Sequence, residues 1–89
     1  MTRAPAPPRL TLLARAYCHL CDDMRDALSP LLTRYGAVLV ELDVDADAAL
    51  EAAYGERVPV LLLGEPPGVE LCHYVLDVGA VAAALAPVS

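Results

Sequence analysis

Two thiols three residues apart are the part of this 89-residue chain best equipped for chemistry: Cys18 and Cys21, in the run Tyr17-Cys18-His19-Leu20-Cys21. A thiolate is a nucleophile and a metal ligand, whereas a protonated thiol is a poor version of both. At the start of a helix, Cys18 would stand where unpaired amide protons and the positive end of the helix dipole stabilise a negative sulfur. That setting draws a cysteine pKa from ~8.5 to somewhere between ~3.5 and ~7.5. Cys21, one turn later, would lie beneath Cys18 and within bridging reach. Such a pair can attack a disulfide through Cys18, after which Cys21 resolves the mixed disulfide and expels the reduced product. His19 sets a titratable ring beside the nucleophile, and its cationic form favours the thiolate. Asp22 and Asp23 act in the opposite direction. Leu20 is expected to pack inward.

The same residues allow other chemistry. Cys18, His19, Cys21, Cys72 and His73 include enough donors for zinc, and a free cysteine is also a common buried small hydrophobe. A structural zinc site usually uses two well-spaced pairs, however, and adjacent Cys72 and His73 would point to opposite faces of a strand. Cys72 is expected to be a core residue of that strand and His73 a surface one. Asp43, Asp45 and Asp47 lack the turn glycine and distal glutamate of a calcium loop, so they are expected to cap helices. Tyr17 could shape a substrate groove, but a half-buried aromatic is the simpler expectation.

The flanking sequence supplies the elements that must position the pair. Leu10–Ala16 is apolar at nearly every position, as a central strand covered on both faces would be. From Leu20 a helical stripe follows, made of Leu20, Met24, Ala27, Leu28, Leu31 and Tyr35. Pro30 should kink or restart this helix near Ser29, and Gly36 should end it. Ala37–Leu42 reads as a second strand, Ala48–Tyr54 as a short helix closed by Gly55, and Val58–Leu63 as a third strand opened by Pro59. Gly64–Gly68 has the length of a hairpin turn, and Val69–Tyr74 gives a fourth strand. Asp77 caps a last helix with Val78, Val81, Ala82 and Leu85 on one face, stopped by Pro87. The order is β-α-β-α-β-β-α. A helical crossover makes the first two strands parallel and a hairpin makes the last two antiparallel. The fold class is therefore α/β, a four-stranded mixed sheet with helices on both faces. Residues 10–87 form a single domain behind a short Pro/Ala-rich arm at 1–9.

Composition narrows the partners. The chain carries 12 Asp+Glu against six basic residues, all arginine, for a formal net charge of −6. Such a surface repels phosphates, which excludes a nucleic-acid role and adhesion to an anionic membrane. The longest run without a charged residue, Val78–Ser89, is 12 residues and contains a proline. A spanning helix needs ~20 apolar residues, so no membrane span is expected. The short apolar run Leu10–Ala14 is not a secretory core, and three cysteines argue against a disulfide framework. A cytoplasmic location is expected.

A C-x-x-C beside a βαβ pattern reads as a thioredoxin-like redox motif. From Leu10 to Leu85 the sequence resembles the glutaredoxin-like branch of the thioredoxin fold, in its element order and in its C-x-x-C between first strand and first helix. The resemblance implies a small dithiol oxidoreductase with Cys18 as nucleophile and Cys21 as resolving cysteine. Arg15, three residues before Cys18, stands where glutaredoxins often place a basic residue near the thiolate. Val58-Pro59 stands where the fold carries its cis-proline, with the Val58 backbone available to a substrate peptide or glutathione. His19, Arg15, Tyr17, Val58 and Pro59 are thus the expected substrate-binding set. No cofactor is implied beyond the dithiol itself, with glutathione as a co-substrate. The implied partner is a disulfide-containing protein or a glutathione mixed disulfide, met by a monomer. The usual Gly-Gly-Asp after the fourth strand is replaced here by His73-Tyr74-Val75-Leu76-Asp77-Val78-Gly79, and the buried thioredoxin aspartate by Leu12. The alternative is a non-enzymatic binding module, or a zinc or copper carrier, that uses the same C-x-x-C.

Overall fold

Strand β1, Arg9–Ala14, is the centre from which the rest is built. The computed structural model describes residues 6–86; most of the expected arm, and Pro87 as a helix stop, lie outside that range. Side chains alternate along a strand, so β1 feeds two cores at once. Leu10, Leu12 and Ala14 point to one face and Leu13 to the other, all buried. Thr11 is the buried polar residue of this strand, and its hydroxyl donates to the Gly64 carbonyl at 2.7 Å. That bond removes the penalty of an unpaired hydroxyl in the core.

β2 (Val38–Asp43) runs parallel to β1, while β3 (Val60–Leu63) is antiparallel to it and pairs in turn with antiparallel β4 (Val69–His73). The strand order is β2-β1-β3-β4, the mixed four-stranded sheet that the element order implies. Where the β3 partner passes from Cys72 to Glu70, Leu71 is left over as a bulge. This is why Leu71 and Cys72 both reach the same core, an arrangement that strict alternation forbids.

Helix α1 (His19–Tyr35) and helix α3 (Val78–Leu85) cover the face bearing Leu10, Leu12 and Leu61. Helix α2 (Ala48–Tyr54) covers the opposite face with Val44, where Leu50 and Tyr54 pack on Leu13, Val60 and Leu62. The caps are those the sequence offers. Asp47 accepts from the amides of Ala49 and Leu50, and Asp77 accepts from that of Ala80. Gly36, at φ 63°, ends α1 in a left-handed conformation that glycine adopts without steric cost.

Three local expectations are corrected. The buried stripe of α1 runs through Cys21, Met24 and Leu28, so Leu20 and Ala27 fall outside it and face solvent. Helix α1 does not restart at Pro30: the proline sits on the exposed side, and packing of Leu28, Leu31 and Leu32 carries the helix past one missing hydrogen bond. On α3, Val81 and Leu85 are buried but Val78 is 55% exposed, because in the first turn it lines a surface groove with Leu20 and Val75 instead of the core. Two 3₁₀ turns not foreseen, Val44–Ala46 and Gly55–Arg57, flank α2. No described helix is long and apolar enough to cross a membrane.

The β4 edge is tied to the turn before β3. Glu70 accepts from Arg57 at 3.0 Å and pairs with His73 Nδ1 at 2.9 Å. Partial burial pushes the Glu70 carboxyl up, but the hydrogen bonds from Arg57 and His73 outweigh it and hold the group below its usual range. An unfolded chain therefore takes up this proton before the folded one does. The stability Glu70 contributes is complete above the ordinary carboxyl value of about 4.3 and is lost as pH falls below it. Denaturant titrations across that range should show Glu70→Gln less stable than the parent at neutral pH and less steeply destabilised by acid. At the centre of the sheet, Leu12→Ala should cost about 2–5 kcal/mol in the same assay, the usual penalty for a cavity at a fully buried leucine.

Candidate functional site

The site begins where β1 ends. After Ala14 the chain turns through Arg15, Ala16 and Tyr17, and α1 starts at His19. Cys18 is the N-cap of α1. Its Sγ accepts a hydrogen bond from the Cys21 amide at 3.1 Å, as a capping serine or aspartate oxygen would. Its carbonyl accepts the first helical bond, from the Asp22 amide at 3.1 Å. The two sulfurs are joined in a disulfide across a Cα–Cα distance of 5.2 Å. Cys18 is partly exposed, while Cys21 is 1% exposed and belongs to the core cluster with Leu12 and Met24. One sulfur is thus open to a reactant and the other is held behind it.

Topology brings Val58 and Pro59 alongside. Because β3 runs antiparallel to β1, the segment entering β3 lies beside the segment leaving β1. Val58 and Cys18 both pack on the same buried cluster. The Val58–Pro59 peptide bond is cis, and the Pro59 carbonyl accepts from the Tyr74 amide at 2.9 Å. The end of β4 is thereby fixed beside the cis-proline.

The other expected residues occupy different environments. His19 opens α1 and is exposed. Arg15 directs its guanidinium toward α2, where it bonds Glu51 at 2.6 Å and the Gly55 carbonyl at 3.1 Å, with Asp45 at 3.7 Å. Its Nε is buried without a hydrogen-bond partner. Tyr17 is not the half-buried aromatic expected from sequence: it is fully exposed, at 104%, with φ 58°. A left-handed conformation is uncommon for a bulky residue and costs of order 1–3 kcal/mol, a strain that clusters at functional sites. Leu20 likewise faces outward, at 45% exposure.

Two depressions flank the dithiol turn. One, of about 480 Å³, is lined by Arg15, Tyr17, Asp22, Arg25, Glu41 and Asp43 among others. There Arg25 is held by Asp22 at 2.8 Å and by Glu41, and these carboxylates raise its affinity for the proton further. The other, of about 250 Å³, is an apolar groove between α1 and the β4–α3 connection, with Leu20, Ala27, Tyr74, Val75 and Val78 in its walls. Sequence reasoning missed this groove. Its one signal was Tyr74-Val75-Leu76, three apolar residues in a connection where polar ones are the rule.

Cys72 stands apart from the pair. Burial pushes its thiol up, against a hydrogen bond from the Asp77 backbone that acts the other way. It is a thiol rather than a thiolate at neutral pH; expected in the core, it is half-buried and packs against the edge of the buried cluster, on the bulged strand β4. Among the described residues, no three His, Cys, Asp or Glu side chains come together as a metal site would require.

Comparison with known proteins agrees with this geometry. Residues 9–86 match the family described as Glutaredoxin-like domain (DUF836). An uncharacterised protein of Mycobacterium tuberculosis is 36% identical over 61 residues, which cover 63% of each chain, so the present chain spans just under two thirds of the length of that curated relative. The solution structure of protein Ne2328 from Nitrosomonas europaea superposes with a TM-score of 0.82 at 34% identity, covering 97% of this chain and 100% of that one. The oxidised form of mitochondrial thioredoxin 3 from Saccharomyces cerevisiae, at 17% identity, matches in fold with a TM-score of 0.64 over 88% of this chain and 76% of its own. A dithiol between strand and helix, a solved relative that superposes over nearly the whole chain and a family match across nearly every described residue lead to one assignment: the chain belongs to the glutaredoxin-like domain family and has the thioredoxin fold.

Proposed function

We propose that this protein is a small dithiol thiol-disulfide oxidoreductase. The observation that carries the reading is the hydrogen bond from the Cys21 amide to Cys18 Sγ at the head of α1, with Cys18 partly exposed and Cys21 buried behind it. In the reduced protein the same amide and the helix dipole favour a thiolate on Cys18 over a thiolate on Cys21, which lies in the core. The asymmetry supports Cys18 as the nucleophile and Cys21 as the resolving cysteine.

The Cys18 thiolate attacks one sulfur of a substrate disulfide. A bond forms between Cys18 and that sulfur, the substrate S–S bond breaks, and the other substrate sulfur leaves as a thiolate. Cys21 then attacks Cys18 Sγ, the mixed disulfide breaks, and the second substrate thiolate departs. Two electrons have passed from the dithiol to the substrate, and the protein is left as the Cys18–Cys21 disulfide. A dithiol or thiol reductant returns it to the reduced form. Val58, next to the cis-proline and packed on the same cluster as Cys18, supplies the backbone edge along which an extended substrate would lie. Arg15, tied to Glu51, acts by fixing the turn that presents Cys18, and Tyr17 and His19 border the approach.

The test is single-turnover reduction of hydroxyethyl disulfide by the reduced protein. Cys18→Ser should lower the rate to that of buffer alone. Cys21→Ser should react once and stop as a mixed disulfide on Cys18, visible as an adduct by intact mass. Full activity in Cys18→Ser, or an adduct on Cys72 instead, would overturn the assignment.

A further inference from the structure

We propose that the site takes a disulfide carried on a basic, apolar protein segment and discriminates against glutathione; this rests on the dithiol reading above and names its substrate class. The argument begins with charge. A glutathione unit carries two carboxylates and one ammonium, so a site built for it needs cations that are not already neutralised. The chain has no lysine. Both arginines near the dithiol are occupied: Arg15 by Glu51 and Asp45, Arg25 by Asp22 and Glu41. Of the remaining described arginines, Arg9 and Arg57 pair with Glu65 and Glu70, and Arg34 lies in the last turn of α1, far from Cys18 along the helix. Asp22 and Asp23 follow Cys21 directly and Asp43 lines the same depression as Tyr17 and Asp22; all three are exposed, and Asp23 has no ion pair among the described residues. His19 is the one described side chain next to Cys18 that can become cationic and has no ion pair among the described residues. The field at the mouth of the site therefore attracts positive charge and repels a peptide with excess carboxylate.

Shape points the same way. The groove walled by Leu20, Tyr74, Val75 and Val78 takes one wall from the residue between His19 and Cys21, and Asp23 lines it as well. Val75 is 71% exposed, and on the other side of the turn the Tyr17 ring stands fully in solvent. Burying these surfaces needs apolar side chains next to the reacting cysteine, which glutathione, with only glycine and a γ-linked glutamate, does not have. An arginine or lysine beyond them would meet Asp23, or lie over the Tyr17 ring as a cation–π partner. An extended protein segment with cysteine between apolar residues and basic residues outside them satisfies both demands.

The probes are disulfide dimers of three blocked peptides. In each, one cysteine lies between two leucines, with arginine, glutamine or glutamate outside them. Glutathione disulfide and neutral hydroxyethyl disulfide complete the set. Rate constants for the reduced protein are divided by those for dithiothreitol with the same disulfide, which removes differences in leaving-group acidity. At low salt the arginine peptide should react about 10-fold or more faster than the glutamate peptide, with glutamine between and glutathione disulfide no faster than the glutamate peptide. The gap should shrink as salt shortens the screening length. In Leu20→Ser, which alters an exposed side chain, the preference for the leucine-flanked peptide over a glycine-flanked one should fall by about 3- to 10-fold. Equal rates for the three peptides, a glutathione disulfide rate above that of the arginine peptide, or an unchanged leucine preference in Leu20→Ser would overturn the inference while leaving the oxidoreductase reading in place. Failure to reduce even hydroxyethyl disulfide would overturn that reading, and this one with it.

Discussion

The structure depends on one amide proton. The Cys21 N–H, unpaired by any helical carbonyl because it lies in the first turn of α1, points at Cys18 Sγ from 3.1 Å. An N-cap is ordinarily filled by a hard oxygen acceptor; here a sulfur takes the place, and a sulfur accepts such a bond better when it carries charge. The helix thus has a dual interest in a Cys18 thiolate, as cap and as counter-charge to its dipole. The remainder of the fold holds this geometry still. β1 is buried on both faces, so the point where it releases the chain is fixed. Cys21, Met24 and Leu28 bind α1 to that same core, and the antiparallel entry of β3 delivers the cis-proline to the same end of the sheet.

Charge at the site follows a consistent logic. The protein is acidic overall, and its arginines are used for construction. Arg15 joins the dithiol turn to α2, Arg25 joins α1 to β2, and Arg57 joins the turn before β3 to β4. Exposed ion pairs of this kind add little stability individually. Their consequence is that cations are consumed in positioning the site, leaving its mouth negative and its groove apolar. Strain is concentrated at the same place: Tyr17 and Tyr74 are the described non-glycine residues at positive φ, one immediately before Cys18 and the other bonded through its amide to Pro59.

Much of this was legible in the sequence, for identifiable reasons. Asp47 and Asp77 announced helix starts because their oxygens can accept first-turn amides, and Gly36 announced an end because it alone tolerates φ 63° cheaply. The C-x-x-C, set between an apolar run and a helical stripe, located the site. What sequence hid was which residue of the first turn of α1 faces the core. Leu20 and Cys21 are both apolar, and hydropathy favours leucine for the core, yet the bridge to Cys18 requires Cys21 inside and turns Leu20 out. Tyr17 was misjudged because an aromatic is normally worth burying; a left-handed turn that aims it at solvent leaves no mark in composition. The β4 bulge at Leu71 and the commitment of Arg15 to Glu51 are tertiary facts, set by partners roughly 10 to 36 positions away in sequence, and no local pattern encodes them.

The most direct test of the account is the ionisation of Cys18 itself, followed by the ultraviolet absorbance of its thiolate as the reduced protein is titrated, with Cys72→Ala present to remove the third sulfur. A midpoint well below the ordinary cysteine value of about 8.5, lost in Cys18→Ser, is what an amide-capped and dipole-facing sulfur requires. A midpoint at or above that value would mean that the helix end does not hold the charge, and the chemistry assigned to this site would have no source.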